Sequence, residues 1–200
     1  MTASSHQSFV TTELDPDLLA NPFGVQTNWH VITGAPCSGK TTLIRALADR
    51  GFRTVEESGR AYVVGELAKG RTADEIFGDG AILQRGVLGL QLESERTLPV
   101  DDLAFLDGAS PTCLTYLRAM GVNPNVILAH CFYHRYASVF LLERFPLEKD
   151  GVRFEDDVTA GLIGEWLARD YGALGYQVVR VPVLPLEERL TFVLERLIRD

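Results

Sequence analysis

Lysine is scarce in this 200-residue chain: three residues, Lys40, Lys69 and Lys149, stand against sixteen arginines. With 27 acidic residues the formal charge is −8. Coating a nucleic-acid backbone takes clustered Lys and Arg, so no nucleic-acid partner is expected. Cysteine is also scarce. Cys37, Cys113 and Cys131 are odd in number and lack metal-site spacing, which predicts a reduced, cytoplasmic setting rather than a disulfide framework. No stretch approaches the roughly 18 apolar residues of a membrane span, so no transmembrane segment is expected. No Lys or Arg precedes Lys40, which argues against a secretory n-region or an Arg-rich transit peptide.

What is present suffices for one globular domain, since 46% of the residues are apolar. Residues 1–27 read as a flexible tail, with a short turn of helix at Asp15-Pro16-Asp17-Leu18-Leu19, and residues 28–200 as the domain.

Residues Gly34-Ala35-Pro36-Cys37-Ser38-Gly39-Lys40-Thr41 form a complete phosphate-binding P-loop. Glycines let the backbone curl so that successive N–H groups form an anion nest. Lys40 reaches the β- and γ-phosphates as a point charge, and the Thr41 hydroxyl is placed to ligate Mg²⁺. Thr42 and the helix behind it present a positive N-terminal end to the same phosphates. A Lys in the one slot that favours a compact ammonium fits this task in a chain otherwise biased to Arg. The context agrees: β-prone Trp29–Thr33 precedes the loop, and Thr42–Arg50 has helical periodicity before the stop at Gly51.

Downstream, short strands are expected at 52–55, 103–107, 138–142 and 175–181. Helices are expected at 60–68, 73–97, 111–120, 125–133, 156–171 and 186–198, with a charged, Pro/Gly-punctuated lid at about 143–155. Such alternation implies a P-loop NTPase fold: three layers, α/β/α, around a mostly parallel five-stranded sheet with a kinase-like lid. Ligands of such sheets sit beyond the strand carboxyl ends.

Asp107 ends an apolar strand, the position from which a carboxylate holds Mg²⁺ or its water; capping of the next helix is the plainer role. Glu57, just past the second strand, is placed to accept a proton from an attacking hydroxyl or to bind a substrate hydroxyl, or simply to complement a helix dipole. Arg60 lies one turn on, so both side chains can face one substrate cleft. Arg144 and Arg153 flank the lid, where an arginine stabilises charge developing on the γ-phosphate, although most arginines in such a stretch are only solvated. Arg135 is a weaker candidate. Leu184, in the Pro182–Pro185 loop, is placed to pack on the nucleotide base. His130 and His134 are four apart, but no third ligand follows to make a zinc site.

The Gly34–Thr42 loop, Val55-Glu56-Glu57-Ser58-Gly59-Arg60, Phe105-Leu106-Asp107 and the ending from Leu174 to Leu197 together resemble the NadR-like small P-loop domains, often labelled AAA-type ATPases. The resemblance runs from about Asn28 onward. It implies a nucleoside- or nucleotide-kinase-like protein, and one eukaryotic relative is described as binding GTP and phosphoinositides. The family pattern Asp-Arg-Gly-x-Pro-Asp stands here as Asp107-Gly108-Ala109-Ser110-Pro111-Thr112, so Gly108 replaces the Arg and Thr112 the later Asp. The expectation is a phosphotransferase using Mg²⁺ and ATP (or GTP) on an unidentified small-molecule acceptor. Its alternatives are an ATPase or nucleotide switch, favoured by the two replaced residues, and a domain that only binds nucleotide.

Overall fold

Trp29, His30, Val31, Ile32 and Thr33 are all buried, the pattern of a strand covered on both faces. This computed structural model describes residues 9–145 and 157–197. In chain order its first elements are α1 (Pro16–Leu19), β1 (Val25–Gln26), β2 (Trp29–Thr33), α2 (Lys40–Asp49), β3 (Arg53–Val55) and α3 (Ser58–Ala68). There follow α4 (Ala73–Phe77), α5 (Gly80–Thr97), β4 (Ala104–Asp107) and α6 (Thr112–Ala119). The last are β5 (His134–Arg135), β6 (Ser138–Leu142), α7 (Asp157–Ala173), β7 (Val178–Val181) and α8 (Leu186–Leu197).

Five strands pair in the order β3-β4-β2-β6-β7, all parallel. Side chains alternate across the sheet. Trp29, Val31, Leu106, Val139 and Leu141 join one core with residues of α5, α6 and α7. Ile32, Phe105, Phe140 and Leu142 join the other with Leu43, Ile44 and Leu47 of α2 and Leu190 and Val193 of α8. The expected three-layer α/β/α arrangement is therefore present, with β2 central. The register pairs Ile32 with Asp107, so the loop after β2 and the carboxylate ending β4 emerge side by side.

Three expectations differ. Residues 9–27 are not a tail. Phe9, Leu18, Leu19 and Phe23 pack against the first core, Leu14 is buried within it, and β1 pairs with β5. The apolar residues scattered through the segment are what hold it. The expected 73–97 helix is two helices, because two N-caps lie seven residues apart. Thr72 and Glu75 form a capping box for α4, and Asp79 accepts from Ala81 N and Ile82 N to start α5. Residues 125–133 form two 3₁₀ turns, Pro124–Val126 and Leu128–Phe132, rather than an α-helix. Of the expected lid, residues 143–145 are described; 146–155, Arg153 among them, lie outside the described residues.

Candidate nucleotide site

The loop from 34 to 39 closes on itself before α2 begins. Ser38 N donates to Ala35 O at 3.3 Å, and Lys40 Nζ folds back onto Gly34 O (2.8 Å) and Ala35 O (3.2 Å). Its ammonium is thus held against the loop it serves. Gly34 has φ +154°, and a Cβ there would meet Leu142 O at 2.8 Å and Ser38 Oγ at 2.7 Å. Only glycine fits. Cys37 adopts φ +63° and is exposed, a left-handed conformation that costs a non-glycine residue about 1 kcal/mol.

Across the sheet end, Thr41 Oγ1 donates to Asp107 Oδ2 at 3.4 Å. Asp107 is 4% exposed, and its Oδ1 is buried without a hydrogen-bond partner among the described residues. Thr33 Oγ1 and Ser38 Oγ are orphaned in the same way. Native interiors rarely leave such atoms unpaired, and the usual explanation is an absent ligand, ion or water. Burial pushes the Asp107 carboxyl up to about 6, helped by the charge of Glu57; Lys40, the Thr41 hydroxyl and Arg60 oppose the shift. A threonine hydroxyl beside an under-satisfied carboxylate fits Mg²⁺, which takes oxygen ligands and shares its shell with substrate phosphates and water. Thr41 and Asp107 are the residues that would hold it. Among the described residues no cluster of three or more His, Cys, Asp or Glu is placed to form a metal cage.

Glu57 occupies the N-cap of α3, yet its side chain makes no capping hydrogen bond, so the carboxylate is not consumed by the helix. Two cavities meet at Glu57 and Asp107. One, of about 280 Å³, runs between α2 and α3 and is bordered by Thr41, Arg45, Glu56 and Arg60. The other, of about 90 Å³, lies between α3, α5 and α6, with Val87 and Cys113 as apolar walls and Gln84 and Gln91 as amides. The Gln91 amide is already committed: Ser58 Oγ donates to its Oε1 (2.8 Å) and its Nε2 donates to Glu95 Oε1 (3.0 Å). Buried Glu95 also accepts from Tyr136 OH (2.9 Å) and meets His134 Nδ1 (3.1 Å). Gly108 has φ +80°, and Thr112 Oγ1 accepts from Ala109 N (3.2 Å) and bonds Tyr171 OH (3.0 Å). The two replaced family positions thus serve turn and packing.

Lys40, Thr41, Glu57, Arg60 and Asp107 are therefore brought to one region. Leu184 borders a shallow groove with Glu187, Glu188, Thr191, Phe192 and Glu195. Arg135 stacks between Phe23 and Tyr176 and donates to Leu174 O and Gly175 O, a structural post. Arg144 lies two residues beyond the end of β6 and is half-buried.

The sequence reading missed Arg189. Its guanidinium, 2% exposed, donates to Ser38 O of the loop (2.6 Å), Pro182 O (3.0 Å) and Glu143 O (2.9 Å). The signal was available: position 189 lies on the buried stripe of α8, beside Leu190 and four before Val193, where an arginine is out of place.

A family model described as an AAA domain matches residues 29–189. The chain belongs to the AAA-domain family. The match ends at Arg189 and takes in all five strands of the main sheet. The structure of this AAA domain is similar to three solved P-loop kinase folds. Deoxyadenosine kinase from M. mycoides, with dCMP and dCDP bound, gives a TM-score of 0.60 at 12% identity, covering 86% of this chain and 98% of that one. A NadR protein in complex with NR gives 0.54 at 21% identity, covering 78% and 45%. Thymidylate kinase from Candida albicans gives 0.51 at 13% identity, covering 90% and 93%. These likenesses show that the AAA domain has a P-loop kinase-like fold. No curated protein matches the sequence. No helix among the described residues is long and apolar enough to cross a membrane.

Proposed function

We propose that this protein transfers a phosphoryl group from Mg²⁺-bound ATP to a hydroxyl of a small, nucleoside-like acceptor. The observation that supports it is the convergence of Lys40, Thr41 and Asp107, with its orphaned Oδ1, on one side and uncommitted Glu57 on the other, at the junction of two cavities.

In this reading the loop N–H groups and Lys40 bind and orient the β- and γ-phosphates. When bound, Mg²⁺ would neutralise charge on the phosphate oxygens, held by Thr41 and Asp107. Glu57 accepts the proton of the acceptor hydroxyl as its oxygen bonds to phosphorus and ADP leaves. Arg60 is positioned to orient the acceptor, and Arg144 or Arg153 supplies charge near the γ-phosphate. Leu184, in the loop that Arg189 ties to Ser38 through Pro182 O, packs on the nucleotide base. Among the described residues no cation lines the smaller cavity, which favours an acceptor without a phosphate of its own. Catalysis is then mostly positioning and electrostatics. A cytoplasmic setting and the absence of a nucleic-acid partner belong to the same proposal.

A second reading, an ATP- or GTP-dependent hydrolase or switch, is favoured by Gly108 and Thr112, which leave the acceptor side without two charged groups of the family pattern. ADP release from Mg-ATP, followed with a panel of nucleosides, sugars and vitamins, separates the two. Acceptor-dependent release supports the kinase; equal release without acceptor supports the hydrolase; nucleotide binding without release overturns both.

A further inference from the structure

Arg189 lies 151 residues from the loop residue it holds. A fully buried arginine normally meets a carboxylate. Here no carboxylate lies within 4.0 Å of it among the described residues; three backbone carbonyls take its hydrogen bonds, and Phe145 covers its face at 4.5 Å. The nearby Glu143 carboxylate is directed to Arg180 instead, at 2.8 Å. Burial holds the guanidinium below its ordinary value, and it nevertheless stays charged. Among the described residues, then, no carboxylate pairs directly with this buried cation behind the phosphate-binding loop, and the Glu143 charge supports it only from a distance.

The shortest of the three bonds, 2.6 Å to Ser38 O, has a consequence for the other side of the same peptide. The Ser38–Gly39 bond is trans, so its C=O and the Gly39 N–H point in opposite directions. A charge-assisted bond at the oxygen polarises the N–H. That N–H has no acceptor among the described residues. Holding the oxygen toward α8 aims the hydrogen away from α8, out of the loop, where a phosphate oxygen is its natural partner.

We infer that Arg189 is a positioning residue for the phosphate-binding loop: its guanidinium fork fixes the Ser38–Gly39 peptide, so that the Gly39 N–H faces the bound phosphate with enhanced donor strength. This rests on the reading of residues 34–41 as a phosphate site. It assigns to α8 a part in nucleotide affinity that is distinct from packing.

The test uses Arg189→Lys, which keeps a cation but loses the fork, and Arg189→Met, which loses both. The first readout is the Gly39 amide proton resonance of the nucleotide-free protein, which moves upfield in both variants, more in the Met one. The second is affinity for ATP against adenosine. Loss of one charge-assisted contact predicts about a ten- to hundredfold weakening for ATP in Arg189→Met and a smaller loss in Arg189→Lys. Adenosine, which lacks phosphates, binds unchanged. A purely structural role lowers the melting temperature and moves neither readout. If Arg189→Met does not fold, the Lys variant is read alone. A folded variant with an unmoved Gly39 resonance and wild-type ATP affinity overturns the inference. Failure of wild-type protein to bind ATP overturns the phosphate-site reading instead, and the amide resonance still decides whether Arg189 polarises the peptide.

Discussion

Two regions of this molecule bury an arginine and an aspartate, and they treat them in opposite ways. Beneath the N-terminal segment, Arg118 and Asp170 meet directly. Nη2 reaches Oδ1 at 2.9 Å, Thr115 Oγ1 satisfies Oδ2 at 2.8 Å, and Trp166 lies 4.2 Å from the guanidinium carbon. Arg118 also donates to Val10 O and Thr12 O, which fastens the segment down. Every charge there is answered. At the loop end of the sheet, Arg189 and Asp107 are kept apart: the cation is held by carbonyls, and one oxygen of the carboxyl group has no partner among the described residues. Holding buried charges apart in this way costs stability. The contrast separates buried charges that answer one another from buried charges that do not.

The comparison can be broken most forcefully at its satisfied end. Arg118→Met leaves Asp170 buried and uncompensated and is expected to destabilise the fold by about 3–5 kcal/mol in denaturant unfolding. Residues 9–27 should become protease-sensitive as well. The double variant Arg118→Met/Asp170→Leu should recover most of the loss, because the orphaned charge is gone. A double variant as weak as the single one would show that the pair contributes more than mutual neutralisation.

At the open end, Lys40→Ala should leave stability nearly unchanged and weaken ATP binding about hundredfold, measured by calorimetry. Equal affinity in wild type and variant would remove the phosphate site.

Asp107→Asn sharpens the contrast through pH. The carboxyl sits at about 6 in the folded protein, against about 3.9 in an unfolded chain. The folded state thus holds more protons between these values. The carboxyl's contribution to stability is full below about pH 4 and is lost as pH rises through 6. In EDTA at pH 8, Asp107→Asn should therefore be more stable than wild type by about 1–2 kcal/mol, with the gap closing toward pH 4. The same substitution should abolish Mg²⁺-dependent turnover. A pH-independent gap would mean that the gain has another source.

The smallest effect is expected at Gly108. Space exists for a side chain, the nearest atom to a built Cβ being Thr112 Oγ1 at 3.5 Å, but φ is +80°. Gly108→Arg should cost about 1 kcal/mol in thermal unfolding, from backbone strain alone.

The site's donor half was legible because its chemistry is local. The P-loop is eight consecutive residues, and Asp107 is marked by the apolar strand it ends. The central strand was equally plain, since a run buried on both faces reads as one in sequence. What could not be read depends on distant partners. Arg189 matters because of carbonyls at 38, 143 and 182. The docking of residues 9–27 depends on Arg118 and on partners such as Trp166 of α7, against which Phe9 packs, neither of which is apparent from those residues alone. The break between α4 and α5 was a different failure: Thr72-x-x-Glu75 is a visible capping signal, overridden by the apolar periodicity around it. On the acceptor side, Gly108 and Thr112 were recognisable as replacements, yet the Tyr171 contact that now employs Thr112 is 59 residues away.

The strand order has one more consequence, in the timing of synthesis. The strand leading into the phosphate loop is the first of the main sheet to be made, and it ends at the centre. One of its flanks, β6, arrives more than a hundred residues later, and the helix that takes hold of Ser38 O is the last of the described elements. A growing chain therefore carries the loop through the 151 residues that separate Ser38 from Arg189 before that contact can form. Until then Ser38 O lacks the guanidinium that holds it in the folded protein.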